Sequence, residues 1–175
     1  MIYQKHKVHI ILTGDTIDSY YNGINDTLKT LQHSAVPQFF ELLKIDSAEF
    51  IFSEVCMKDS RRINEEDRKT ILQEIENSAA EKIIITHGTY TMTDTARFIK
   101  ANPKSAKTAI LTDSTIPITG FPSSDAPFNL RFAFANCFTA EHSVYITKNG
   151  QMFDAEEVQK FLAEEKFASV YINNY

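Results

Sequence analysis

Short β-branched runs alternate along this chain with longer amphipathic segments, and no other feature constrains the fold as strongly. Val8 to Leu12, Glu49 to Cys56, Lys82 to Ile85, Thr108 to Leu111 and Val144 to Thr147 read as strands, being short, rich in Val and Ile, and bounded by turn residues. Strands that alternate with helices imply βα units, hence an α/β fold. The expected architecture has three layers, a mostly parallel sheet flanked by helices, of the Rossmann or flavodoxin-like kind. Pro37 suits the first turn of a helix over Gln38 to Leu43, with Phe39, Phe40, Leu42 and Leu43 as its apolar stripe. Asn64 caps a second helix, with acidic residues in its first turn and Ile71, Leu72 and Ile75 facing inward. Met92 to Lys100 and Pro127 to Phe138 supply two more. Asp154 and Glu157 predict a last helix with Val158, Phe161 and Leu162 along one face, and Ser169 to Ile172 a small edge strand.

The 175 residues, 43% hydrophobic and 23% charged, suffice for one domain with a proper core. A net charge of -5 and a pI near 5.5 argue against a protein that grips phosphate backbones, which needs a basic face, so no nucleic-acid partner is expected. The apolar stretches fall far short of the roughly 20 residues that span a bilayer, and the N-terminus lacks the hydrophobic core of a signal peptide. No membrane association is expected, and the expected location is cytoplasmic. Cys56 and Cys137 lie in apolar surroundings and read as reduced core thiols. The histidines and cysteines show no ligand-like spacing, so neither metal nor cofactor is implied.

Three strand candidates end alike: Leu12 runs into Thr13-Gly14-Asp15-Thr16, Ile85 into Thr86-His87-Gly88-Thr89, and Leu111 into Thr112-Asp113-Ser114-Thr115. Right-handed parallel connections gather these ends at one edge of the sheet, making a pocket rich in hydroxyls. Such a pocket suits either binding of a small polar molecule or nucleophilic attack on an activated carbonyl. The second task needs a base or a lysine beside the hydroxyl and donors for the oxyanion. A phosphate-binding reading of Thr13 to Thr16 is weaker, because the Gly-rich helix-capping fingerprint is absent.

These same residues carry a resemblance. Thr13-Gly14-Asp15-Thr16-Ile17 resembles the TGGTI motif of bacterial-type L-asparaginases, and His87-Gly88-Thr89-Tyr90-Thr91-Met92 resembles their HGTDTM motif. Met57 to Ile63 looks like that family's DSxDM segment, and Ser123 to Leu130 is similar to its S-x-D-G-P-x-N-L segment. The four ordered matches cover about Val8 to Leu130, within the family's larger N-terminal domain, so residues 1-175 are expected to form one such domain without the smaller second one.

The resemblance implies an amidohydrolase that converts L-asparagine to L-aspartate and ammonia through a threonine nucleophile and an acyl-enzyme. Thr16 takes the place of the nucleophile, with Thr89 and a lysine handling protons. Lys160 fits that lysine best by spacing, and Lys148 is the rival. Ser60 matches the serine that holds the substrate carboxylate, Arg61 takes the next position, and Gly88 and Asp59 fall in substrate-binding segments. A tyrosine from the loop after the first motif is also implied, Tyr21 or Tyr20, with Asn22 and Gly23 making that loop mobile. Homo-oligomers, dimeric or tetrameric, are the family pattern.

Two departures sit inside the matching motifs. Asp15 replaces the second glycine of TGGTI; pointing inward, its carboxylate repels an oxyanion or a substrate carboxylate, and pointing outward it still needs a backbone that does not demand glycine. Tyr90 replaces the aspartate that the family uses for the substrate ammonium, which leaves Asp59, Asp15 or Asp113 for that task. The alternative to an active enzyme is a module on the same scaffold that binds a small polar metabolite without turning it over. His87, Asp125 and Asn129 read as structural.

Overall fold

In a computed structural model, which describes residues 5–103, 106–120, 123–161 and 166–170, the elements follow the order β1 (His6–Leu12), β2 (Ser19–Asn22), β3 (Thr27–Thr30), α1 (Val36–Leu43), β4 (Ala48–Glu54), α2 (Glu65–Asn77), β5 (Lys82–Thr86), α3 (Met92–Ala101), β6 (Thr108–Thr112), α4 (Ala126–Cys137), β7 (Val144–Lys148), β8 (Gln151–Asp154), β9 (Val158–Phe161) and β10 (Lys166–Ser169). The main sheet has the order β4-β1-β5-β6-β7-β8, parallel throughout except that β8 runs antiparallel to β7. This is the three-layer, mostly parallel α/β arrangement expected from the alternation.

The parity of each strand explains the layers. Ile11, Ile83, Ile85, Leu111 and Ile146 point to one face, where α2 and α3 supply Ile71, Ile75, Met92, Ala96 and Ile99. Val8, Ile10, Leu12, Ile84 and Ile110 point to the other, against Phe40 of α1 and Leu130, Ala133 and Cys137 of α4. A sheet covered on both faces needs apolar residues at both parities, which is why its strands read as continuous apolar runs. The α1 stripe is narrower than expected: Phe40 is buried, whereas Leu42 points to solvent. Asn64 caps α2 through a complete capping box with Asp67.

The last third corrects one expectation. No helix opens at Asp154. Asn149 and Gly150, both at positive φ, turn β7 into β8, the geometry of a tight hairpin. Asp154 then starts a second turn, its carboxylate accepting from Glu156 N and its carbonyl from Glu157 N, and the chain continues as the antiparallel pair β9–β10. Leu162 and Ile172, named in the expected helix and edge strand, lie outside the described residues. The loop expected to be mobile after the first motif is the β2–β3 hairpin.

The connectivity positions the site. From β1 the chain crosses to β4 on one side and then to β5 on the other, so the loops leaving β1 and β5 diverge. A parallel sheet opens a crevice at such a switch point, outside the carboxyl ends of the strands.

Candidate active site

Threonine hydroxyls at the carboxyl ends of the strands divide into two groups. Thr13 donates through Oγ to the Thr86 carbonyl at 2.7 Å, Thr86 Oγ accepts from Thr13 N at 3.4 Å, and Thr112 Oγ donates to the Thr147 carbonyl at 3.1 Å. All three threonines are fully buried; they satisfy strand-end backbone groups and tie neighbouring strands together. Thr16 and Thr89 stand one loop further out, half-buried, and bond to charged groups instead.

Thr16 opens a single 3-10 turn, Thr16–Asp18, directly after β1. The residue before it, Asp15, has φ 69° and ψ -153°, a combination that essentially only glycine adopts. This conformation turns the carboxylate inward. Asp15 Oδ1 accepts from Thr16 N at 2.7 Å and from Thr16 Oγ at 3.2 Å, and Asp15 Oδ2 accepts from Ser60 N. The Asp15 carbonyl takes the Ser19 hydroxyl at 2.7 Å and Asp18 N, which fixes the turn.

Ser60 arrives from the loop after β4, which lies flush against the first one. Lys58 N donates to the Thr13 carbonyl at 3.0 Å, and a Cβ on Gly14 would fall 2.8 Å from Lys58 N, so this approach requires glycine there. Ser60 is buried, and its carbonyl accepts the Thr91 hydroxyl at 2.7 Å. Sequence reasoning assigned Thr91 no role; its signal was a threonine at the N-cap position of α3.

Gly88 forms the floor between these two loops. A Cβ built on it would fall 1.6 Å from Asp15 Oδ2 and 2.5 Å from Ser60 Oγ. The next residue, Thr89, receives Lys160 Nζ at 2.6 Å on its hydroxyl. Lys160 lies on β9, and not on a helix as its surroundings implied. Lys148, the rival lysine, lies at the end of β7, its side chain only 6% exposed, with Nζ 3.4 Å from Asp125 Oδ2.

The remaining candidates are placed differently. Asp59 and Arg61 pair with one another: Arg61 Nε donates to both Asp59 carboxylate oxygens at 3.0 and 3.1 Å. The Asp59 bond foremost, with a smaller contribution from the Asp15 carboxylate, favours the exposed Arg61 cation. Tyr90 is 56% exposed. Tyr21 is exposed, its hydroxyl donating to Asp26 Oδ1 at 2.5 Å within its own hairpin.

Buried charges complete the electrostatics. Burial lowers the pKa of His87 to about 4, and its Nδ1 lies 2.9 Å from the Gly88 carbonyl, so the ring is neutral near pH 7 and holds the loop that carries Gly88 and Thr89. Burial, partly offset by Lys148 and reinforced by Asp15, pushes Asp113 up to about 7. Asp125 accepts from Thr115 N and Ile116 N, and Asn129 links Asp125, the Asp113 carbonyl and Asn149 N; both organise the loop beneath the crevice. Among the described residues no group of three or more His, Cys, Asp or Glu could hold a metal ion. The thiols of Cys56 and Cys137 are free and raised by burial to about 11 and about 12, which makes them inert.

Fold and contacts together define a doubly wound α/β protein in which the loops after β1, β4 and β5 bring Thr16, Asp15, Ser60 and Gly88 together, with Lys160 bonded to the adjacent Thr89. The chain belongs to the asparaginase family: the model of the asparaginase N-terminal domain matches residues 7–173. It is 28% identical over 170 residues to the probable periplasmic L-asparaginase of Haemophilus influenzae, covering 87% of this chain and 46% of that protein. It is 28% identical over 175 residues to the glutaminase-asparaginase of Acinetobacter glutaminasificans, covering 89% and 50%. The structure of the thermostable L-asparaginase from Thermococcus kodakarensis superposes with a TM-score of 0.78 at 27% identity, over 94% of this chain and 51% of that one. A probable cytoplasmic L-asparaginase from Campylobacter jejuni gives 0.75 at 28% identity, over 94% and 53%. The chain thus spans about half the length of these relatives.

Proposed function

We propose that the chain is an amidohydrolase of the asparaginase type, acting on a small primary carboxamide, with L-asparagine, giving L-aspartate and ammonia, as the reference substrate that the relatives' names supply. Thr16 Oγ attacks the amide carbon, its proton passes to the departing nitrogen, and ammonia leaves an ester on Thr16. Water then attacks the ester carbon, the C–O bond to Thr16 breaks, and the threonine hydroxyl and a carboxylic acid are restored. Thr89 and Lys160 form the proton relay, a hydroxyl polarised by an amine within hydrogen-bond reach. Ser60 and Gly88 line the pocket, while Asp59, Arg61 and Tyr90 form its rim. Tyr21 would serve from the β2–β3 hairpin once its hydroxyl leaves Asp26. Assembly as a homo-oligomer belongs to the same reading.

The observation that carries this reading is the Lys160 to Thr89 hydrogen bond, made next to Gly88, whose bare main chain faces the Asp15 carboxylate that Thr16 holds. The bland use of threonine, satisfying strand ends, is already taken by Thr13, Thr86 and Thr112.

Turnover of a panel of small amides in the presence of hydroxylamine tests it. An ester on Thr16 is intercepted by that nucleophile, so ammonia release should be accompanied by the hydroxamate of the acyl group. Ammonia without hydroxamate would contradict the acyl step. No ammonia from any amide would leave a scaffold that binds without turnover, a reading supported by the Asp15 carboxylate beside Thr16.

A further inference from the structure

We propose that the Asp15 carboxylate is the chain's own occupant of the anion cradle of this crevice, and that the amide it acts on is therefore an uncharged carboxamide with no carboxylate of its own. The proposal rests on the amidohydrolase reading for its chemistry and on geometry for the cradle.

The donors converge from separate loops. Thr16 N and Thr16 Oγ reach Oδ1 from the loop after β1, at 2.7 and 3.2 Å, and Ser60 N reaches Oδ2 from the loop after β4. Two backbone N–H groups and a hydroxyl aimed at one point satisfy a carboxylate well, and this combination is how backbone segments bind anions. The floor is cut to the same shape: at Gly88 a Cβ would come 2.1 Å from Asp15 Cγ, so the carboxylate lies directly on bare main chain.

The backbone of Asp15 indicates that this placement is imposed. Its φ of 69° and ψ of -153° belong to glycine. A residue held in such a conformation at a crevice invites a functional reading, because ordinary packing would favour glycine at that position.

The consequence concerns the ligand. The cradle's donors are engaged, so a second carboxylate brought beside Thr16 would meet a like charge with none of those N–H groups left to receive it. The segment after β5 supplies no cation at this point, since its side chain there is the exposed Tyr90, a phenol. A neutral carboxamide meets no such repulsion.

Succinamate and succinamide form a matched pair that differs only in carboxylate against carboxamide. Ammonia release and calorimetric binding of both are measured with the wild type and with Asp15→Gly, a substitution that suits the local backbone. The wild type should favour succinamide in kcat/KM by on the order of a hundredfold, and Asp15→Gly should lose that preference and gain succinamate affinity by a similar factor. Equal handling of the pair by the wild type, or no gain of succinamate binding in Asp15→Gly, overturns the proposal. If neither protein releases ammonia but the binding pattern appears, the cradle stands and the hydrolase reading falls.

Discussion

Lys160 Nζ donates to Thr89 Oγ at 2.6 Å although 71 residues separate the two in sequence. The β9–β10 hairpin delivers the lysine to the mouth of the sheet, while the buried end of β5 holds the threonine. One hydroxyl and one amine so placed act as a unit. Lys160→Met and Thr89→Val should each lower kcat by on the order of 10²- to 10⁴-fold, and the double variant should be no slower than the slower single one. Full activity in Lys160→Met would instead hand the task to Lys148 or to no lysine.

The backbone at Asp15 makes a separate statement about stability. Asp15→Gly and Asp15→Ala both remove the carboxylate and its three hydrogen bonds, but only glycine fits φ 69°, ψ -153° without strain. The glycine variant should therefore be the more stable of the two by about 1–3 kcal/mol in denaturant unfolding. Equal stabilities would mean that the local backbone relaxes.

The pH dependence of stability has opposed contributions. Asp113 titrates near 7 in the fold and near 3.8 when unfolded, so the folded protein keeps a proton that the unfolded chain has released. Its contribution is present below about pH 4 and is lost as pH rises through 7. His87, lowered from 6.5 to about 4, does the reverse: its contribution is present above 6.5 and is lost as pH falls towards 4. In Asp113→Asn the Asp113 contribution is removed and that of His87 stays. The unfolding free energy of that variant relative to wild type should rise from pH 4 to 7, by a few kcal/mol and about 4 at most. A pH-independent difference would contradict the burial of a titrating Asp113.

Much of the frame was legible in the sequence because it follows from burial. A sheet covered on both faces leaves continuous β-branched runs, and Val8 to Leu12 or Thr108 to Leu111 could be little else. The Asn64 cap of α2 was legible for a local reason, an Asn followed by acidic residues in the first turn. The segment after β7 was misread because Asp154, Glu157, Val158 and Phe161 also fit helical spacing. Asn149-Gly150 carried the contrary signal of a tight hairpin, and Asp154 binds Lys100 Nζ at 2.5 Å, a contact far away in sequence. At the site, ordered motifs supplied Thr16, Thr89 and Ser60 as candidates, and spacing beyond the last motif supplied Lys160 with Lys148 as its rival. The direction of the Asp15 side chain was not legible, since it depends on a backbone conformation imposed by the loops around it. Nor was the Tyr21 to Asp26 bond, which depends on the register of the β2–β3 hairpin.

The central claim, that Thr16 attacks the amide, is tested most directly by ammonia release from a panel containing asparagine and uncharged amides, with wild type and Thr16→Ala compared at equal folded concentration. The wild type should turn over at least one member, and Thr16→Ala should be slower by about three orders of magnitude or more. Equal rates in the two proteins would contradict the account.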